Sequence, residues 1–222
     1  MGIRIEDENV GYPLRGEWKE KGAKYSDESL IIDGHHVMER WETPYMRMLS
    51  DIVTSGGGKT LEVGYGMGIS ASFILKSEVE EHTIIECHPD ILEICRRRHA
   101  AEIESGRLKV LEGFWEDVTD ALPGGYFDGI LFDTYPLSDG SEPAGEVGRN
   151  HFPFFGEAYR LLKKDGVFTY FSDEERDFSE RHLGLLEEAG FKSIESRICR
   201  VSPPEGCMYW SSKTILAPII RK

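Results

Sequence analysis

Four short stretches of the 222-residue sequence carry residue types that could do chemistry together, and each stands where an apolar run gives way to a turn. In Leu61-Glu62-Val63-Gly64-Tyr65-Gly66-Met67-Gly68, three alternating glycines close such a run and lead, through Ile69, into a helical pattern. Glycines let a chain turn sharply and bring its backbone close to a ligand. Alone, the spacing is a weak signal, because a plain tight turn produces it too. Glu86 ends the next apolar run, 22 residues after Gly64, where an acid can accept hydrogen bonds from both hydroxyls of a ribose. That position serves S-adenosylmethionine (AdoMet) and NAD alike. Glu62 separates them: just ahead of the glycines it would repel a pyrophosphate, yet it can anchor the turn and the ammonium end of a methionyl group. Phe114-Trp115-Glu116-Asp117 offers an aromatic wall and a polar partner for adenine. Trp115 alone could be a core aromatic, and Glu86 alone a solvated strand-end acid. The ordered set implies AdoMet as cofactor.

The fourth stretch, Phe132-Asp133-Thr134-Tyr135-Pro136, stands beside the switch point where ligands bind in open α/β sheets. It lacks the double proline of the Asp/Asn-Pro-Pro-Tyr/Phe motif used on amino nitrogens of bases, which argues against adenine methylation. A simple strand-end cap is the rival role for Asp133.

These stretches need a scaffold that gathers several strand ends. Strand-like runs at Lys59–Val63, His82–Cys87, Leu108–Leu111, Phe127–Phe132 and Val167–Phe171 alternate with helical patterns. The helices are expected through about Lys76, from Pro89-Asp90, from about Glu116, near Phe152–Leu162 and over Glu180–Ala189. Such alternation implies parallel pairing through right-handed crossovers. The last two strands, near Ile194–Cys199 and Lys213–Ile220, have only Pro203-Pro204-Glu205-Gly206 and a few neighbours between them, which suits an antiparallel hairpin. The expected fold is α/β and Rossmann-like, a mostly parallel seven-stranded sheet ending in an antiparallel hairpin, as in class I AdoMet-dependent methyltransferases. Ahead of it, residues 1–34 read as an irregular arm with isolated aromatics Tyr12, Trp18 and Tyr25. A helix is expected from about His36 to Val53, kinked or broken at Pro44, with Ser55-Gly56-Gly57-Gly58 as a hinge. One domain is expected, with a lid arm and helix over 1–54 and the cofactor-binding core over 55–222.

Composition narrows the partners. Forty percent hydrophobic and 30% charged residues suit one α/β domain with a full core. A formal net charge of −14 would repel a phosphate backbone, so nucleic acid is a poor substrate and a cationic ligand a good one. The densest basic cluster, Arg96-Arg97-Arg98-His99, falls late in an expected helix, where it complements the dipole. No apolar run approaches the roughly 18 residues that span a bilayer. Met1–Glu8 contains no secretory apolar segment, and Glu6 stands where a myristoylation site needs Ser or Thr, so no membrane association and a cytoplasmic location are expected. Cys87, Cys95, Cys199 and Cys207 show no metal-ligand spacing, so reduced thiols and no metal are expected.

Val37-Met38-Glu39-Arg40-Trp41-Glu42-Thr43-Pro44-Tyr45-Met46 closely resembles the N-terminal signature of the guanidinoacetate N-methyltransferase family. Leu61–Met67, Ile84-Ile85-Glu86-Cys87, Trp115-Glu116-Asp117-Val118, Phe127–Ile130, Asp133–Leu137, Arg160–Lys163 and Pro203-Pro204 fit the same family, over about residues 18–222. Gly64–Ile69 and Glu86-Cys87-His88-Pro89-Asp90 also resemble the related fungal arginine δ-N-methyltransferase. The resemblance implies a small-molecule guanidino substrate whose guanidinium is held by Glu42 and Asp133, with Tyr135 beside it, in a monomer or homodimer. It implies that AdoMet is held by Gly64, Tyr65, Gly66, Met67, Gly68, Ile69, Glu86, Cys87, His88, Trp115, Glu116, Asp133 and Met46, with Trp18 closing over the site.

The chemistry of a guanidinium agrees. With a pKa of about 12.5–13.8 it binds as a delocalised cation with no free lone pair. Two carboxylates can grip it in forked pairs, localise its charge and take a proton as the N–C bond forms. Asp133 is the expected principal base, with Glu42 orienting; judged by itself, Glu42 would be an exposed helical acid. One stretch departs from the family, which receives the substrate carboxylate on backbone amides where this sequence has Phe171-Ser172-Asp173-Glu174-Glu175. Inward-facing acids would repel a carboxylate. Asp173 and Glu174 are therefore expected to meet the ammonium tail of arginine, agmatine or another ω-guanidino compound, unless they face water and cap the next helix. The rival functions are methylation of arginine in a peptide or protein and a non-catalytic AdoMet-binding module, against which Glu42 and Asp133 argue.

Overall fold

A computed structural model describes residues 12–140 and 147–222. The Met1–Glu8 stretch and part of the Gly-, Ser- and Glu-rich loop after Pro136 lie outside the described residues. A one-turn helix α1 (Arg15–Trp18) is followed by a small antiparallel sheet of β1 (Ala23–Tyr25), β2 (Ser29–Ile32) and β3 (His35–Glu39). Where the sequence pattern points to an irregular arm and a helix from about His36, the structure has strands. Asp33-Gly34 between β2 and β3, at φ 51° and 86°, is the left-handed pair that closes a two-residue hairpin. Val37 and Trp41, whose spacing suggests a helix, thus fall on a strand and on the 3-10 turn Arg40–Glu42. Helix α2 (Thr43–Val53) starts only after that turn. Pro44 lies in its first turn, where a missing N–H costs nothing, so it begins the helix rather than breaking it.

From there strand and helix alternate: β4 (Lys59–Val63), α3 (Ile69–Ile74), β5 (Glu81–Glu86), α4 (Pro89–Arg98), α5 (Ala100–Glu104), β6 (Leu108–Glu112), α6 (Trp115–Val118), β7 (Phe127–Phe132), α7 (His151–Leu161), β8 (Leu162–Tyr170), α8 (Glu180–Glu188), β9 (Ser193–Arg200) and β10 (Thr214–Arg221). The main sheet has the order β6-β5-β4-β7-β8-β10-β9, parallel from β6 to β8, with β10 antiparallel to both neighbours. This is the Rossmann-like class I methyltransferase fold. The central strands are buried on both faces, which is why Gly129-Ile130-Leu131-Phe132 reads as an unbroken apolar run. Leu49 and Val53 of α2 pack on one face with Leu131 and Ile215, while Phe154, Phe155, Ala158 and Leu161 of α7 pack on the other with Ile130 and Phe168. No described helix is long and apolar enough to cross a membrane.

Two features shape the carboxyl end of the sheet. The chain leaves β4 towards β5 and β6 on one side, and β7 returns on the other, so Gly64 and Asp133 face each other across the switch point. Between β8 and β10 the ladder pairs Phe168 with Ile220, but Pro218, two residues back, has no N–H to continue it. The strands are bridged there by Tyr45 of α2, whose hydroxyl lies 3.1 Å from the carbonyl of Tyr170 and 2.9 Å from that of Leu216.

Candidate active site

The ends of β4, β5, β6 and β7 surround a cavity of about 540 Å³. Gly64, Gly66, Glu86, Cys87 and His88 form one part of its wall, and Trp115, Glu116, Asp133 and Tyr135 another, with Trp18 contributed by α1. The glycines are needed by the protein itself. A Cβ at Gly64 (φ 90°) would sit 2.1 Å from the carbonyl oxygen of Asp133, so only glycine lets the β4 and β7 ends close up.

Glu86 is 8% exposed and its carboxylate is fixed by three backbone N–H donors: Tyr65 (2.9 Å), Cys87 (2.7 Å) and His88 (2.8 Å). A carboxylate has about four acceptor sites, so one is left for a ligand hydroxyl. His88 donates from Nε2 to the carbonyl of Lys21 at 2.8 Å, so in the neutral ring Nδ1 is the acceptor. That nitrogen is buried without a hydrogen-bond partner, on a residue of the cavity wall. Trp115 is held edge-on by Phe132 (6.1 Å) and Phe154 (5.1 Å). Burial pushes the Glu116 carboxyl up from its ordinary range, against the pull of Arg15 at 3.8 Å. Two hydroxyl acceptors beside a fixed aromatic wall and a polar group fit the ribose and adenine of AdoMet.

The opposite wall is a closed aromatic layer. Trp18, 3% exposed, stacks on Tyr135 with centroids 5.2 Å apart and planes 7° apart, and stands edge-on to His88. Tyr135 Oη lies 3.1 Å from His35 Nδ1 of β3. Arg15 docks α1 by an ion pair with Asp117 at 2.7 Å and by lying over the Phe114 ring.

Other expected site residues lie outside the cavity wall. Glu62, fully buried, bonds to Ser70 and to His82 Nε2 (2.9 Å), whose Nδ1 meets Thr60 Oγ1 (2.9 Å); its carboxylate ties β4 to α3 and β5 behind the glycine turn. Tyr65, Met67, Gly68 and Ile69 form the back of that turn, with Tyr65 Oη 3.2 Å from His99 Nε2 and the Met67 N–H on Met38 Sδ. Met46 is completely buried among core side chains. Glu42 is 3% exposed, not a surface acid, and its Oε1 accepts from Glu39 N (2.8 Å) and Tyr209 Oη (2.6 Å). Asp173 and Glu174 turn towards buried histidines. Asp173, at φ 54°, lies 3.7 Å from His151 Nδ1, and Glu174 lies 3.5 Å from His182 Nδ1 and accepts from Ser179 N. Burial pushes the Glu174 carboxyl up, but the nearby His182 ring and the hydrogen bond from Ser179 outweigh this and hold it below the usual range.

Sequence reasoning passes over Arg15, His35 and Tyr209. The one available signal for Tyr209 is the aromatic pair Tyr209-Trp210 in a turn-rich stretch, both buried.

Among solved structures, the chain superposes on spermidine synthase from Thermotoga maritima with a TM-score of 0.58 and 17% identity, over 90% of this chain and 72% of that one. A spermidine synthase in complex with the transition-state analogue AdoDATO gives a TM-score of 0.60 and 18% identity, over 90% and 73%. At these identities the likeness shows the fold alone. Among curated proteins, it is 29% identical to Protein arginine N-methyltransferase 2 of Candida glabrata over 158 residues, 67% of this chain and 36% of that protein. The protein of the same name from Aspergillus oryzae is 32% identical over 149 residues, 66% and 34% of the two chains. The chain spans about a third of the length of these relatives. The sequence profile described as guanidinoacetate N-methyltransferase matches residues 8–222, nearly the whole chain, and the chain therefore belongs to the guanidinoacetate N-methyltransferase family.

Proposed function

We propose that the protein is an AdoMet-dependent N-methyltransferase acting on the guanidino group of a small molecule. Asp133 carries the assignment, because it shares one cavity with the residues that fit the cofactor, Gly64, Glu86, His88 and Trp115. Family membership supports it. AdoMet, when bound, supplies the electrophilic methyl group. Glu86 and His88 accept hydroxyl hydrogen bonds, and Trp115 provides a flat apolar wall. Asp133 receives N–H groups of the guanidinium and takes the proton released at the nitrogen that is methylated. Glu42 is assigned to the same cation on the family signature around it, as a second carboxylate that localises the charge away from the reacting nitrogen. Trp18 stacked on Tyr135 excludes water, which strengthens every charge contact inside. A protein carrying a net charge of −14 also favours arrival of a cation.

The name of the fungal relatives favours a second reading, in which the guanidino group belongs to an arginine residue of a protein. Incubation with AdoMet and, separately, guanidinoacetate, arginine, agmatine and an arginine-containing peptide separates the two, with products weighed by mass spectrometry. Methylation of a small guanidino compound with the peptide untouched is the expected result. Methylation of the peptide alone would transfer the assignment to the second reading. Binding of AdoMet without turnover of any of the four would contradict both.

A further inference from the structure

The connector between β9 and β10, residues 201–213, crosses back over the carboxyl end of the sheet and buries Tyr209 and Trp210 at 3% and 1% exposure. It delivers Tyr209 to the 3-10 turn that carries Glu42. The Tyr209 hydroxyl donates to Glu42 Oε1 at 2.6 Å, and the same oxygen accepts the Glu39 N–H at 2.8 Å. We infer that Tyr209 is a positioning residue for Glu42, holding that carboxylate ionised and oriented for a guanidinium. This rests on the proposed guanidino chemistry and extends it to a residue 167 positions away in the chain.

A carboxylate taken out of water keeps its charge only if donors replace the water it loses. Two donors converging on one oxygen also stop the group from rotating, and a forked guanidinium contact needs a fixed carboxylate plane. The surroundings keep Tyr209 in place. Its ring lies 5.7 Å from that of Trp41, whose Nε1 donates to Glu39 Oε2 at 2.7 Å. Cys207 Sγ lies 3.7 Å from that same oxygen, and His36 Nδ1 lies 2.9 Å from Glu39 Oε1. Burial, with Glu42 and Glu39 beside it, pushes the phenol far up, so Tyr209 remains a donor throughout the working pH range. The pairing of Glu39 and Glu42 caps the turn reciprocally, so the connector, the turn and the start of α2 are locked together at this carboxylate.

Tyr209→Phe removes the hydroxyl and keeps the ring. On the guanidino compound turned over best, it is expected to lower kcat/KM by roughly 10- to 100-fold, the range for a hydrogen bond to a charged group, with the loss appearing mainly in KM for that compound. Affinity for AdoMet, measured on the same preparation, is expected within about twofold of wild type, which a general loss of structure would not allow. Glu42→Gln and the double variant close a thermodynamic cycle. If Tyr209 acts through Glu42, the double variant loses little more than Glu42→Gln alone. Unchanged kinetics in Tyr209→Phe, or losses that add in full, would overturn the inference while leaving the guanidino assignment standing. Full activity in Glu42→Gln would remove Glu42 from the grip, and Tyr209 with it, whatever Tyr209→Phe does.

Discussion

Asp133 and Glu86 stand in the same cavity, and the proposed function gives them separable jobs. Asp133→Asn keeps the shape and hydrogen-bonding capacity of the side chain and removes its charge and basicity. kcat is expected to fall roughly 10²- to 10⁴-fold, the usual share of a general base, with AdoMet affinity nearly unchanged. Steady-state kinetics beside a cofactor titration checks this. Glu86→Ala strands the three N–H groups its carboxylate receives from Tyr65, Cys87 and His88, and also removes a hydroxyl acceptor. AdoMet affinity is expected to fall at least about tenfold in a titration by calorimetry, since a hydrogen bond from a ligand hydroxyl to a charged acceptor is worth about 1.5–3 kcal/mol, while the stranded donors lower the stability of the fold. Part of the candidate site is legible in the sequence, because glycines and strand-end acids at a switch point are local signals. Glu86, His88, Trp115 and Asp133, which stand at or just after strand ends, line one cavity. Side-chain direction is not local. Glu62 faces Ser70 and His82, and Glu174 faces His182, because partners on other elements attract these carboxylates in a way that sequence spacing does not display. The pairing of Tyr209 with Glu42 is invisible for the same reason, as only the return of the β9–β10 connector brings the two together.

At the scale of elements, parallel strands buried on both faces leave continuous apolar runs, which make the mostly parallel sheet and its closing hairpin legible, though not the order of its strands. The β1–β3 sheet is harder to see, since its strands are three to five residues long and half-buried. The Asp33-Gly34 turn is its clearest mark. The Tyr45 bridge where Pro218 interrupts the β8–β10 ladder has a measurable consequence. Tyr45→Phe leaves the Tyr170 carbonyl without that donor and is expected to destabilise the protein by about 1–3 kcal/mol, seen as a lower denaturation midpoint with unchanged slope. Helix α8 carries a pH signature. Burial lowers the pKa of His182 below its ordinary value of 6.5, against the opposing pull of Glu174, and burial lowers that of His99 as well. The unfolded chain therefore binds more protons than the folded one as pH falls. Stability from this source is complete above about pH 6.5 and is lost as pH drops through the lower folded-state values. The melting temperature is expected to decline below pH 6.5, and His182→Gln to flatten the decline. A variant that tracks wild type would show that the acid sensitivity comes from elsewhere.

For the molecule as a whole, the N-terminal segment and the connector between β9 and β10 both reach the carboxyl edge of the sheet. The N-terminal segment places Trp18 over Tyr135, and the C-terminal connector places Tyr209 on Glu42. Cofactor-fitting residues and Asp133 lie between them, in a cavity that opens at the switch point of a strongly acidic protein. What that arrangement is for reduces to where a methyl group ends up. The direct measurement supplies AdoMet labelled with carbon-13 on its methyl group, adds the guanidino compound that gives product, and locates the label by carbon–proton correlation NMR. The expected result is a labelled methyl on a guanidino nitrogen, formed in step with S-adenosylhomocysteine, and its near disappearance in Asp133→Asn with the cofactor still bound. A label on a carboxylate or an amine, or full turnover in Asp133→Asn, would contradict it.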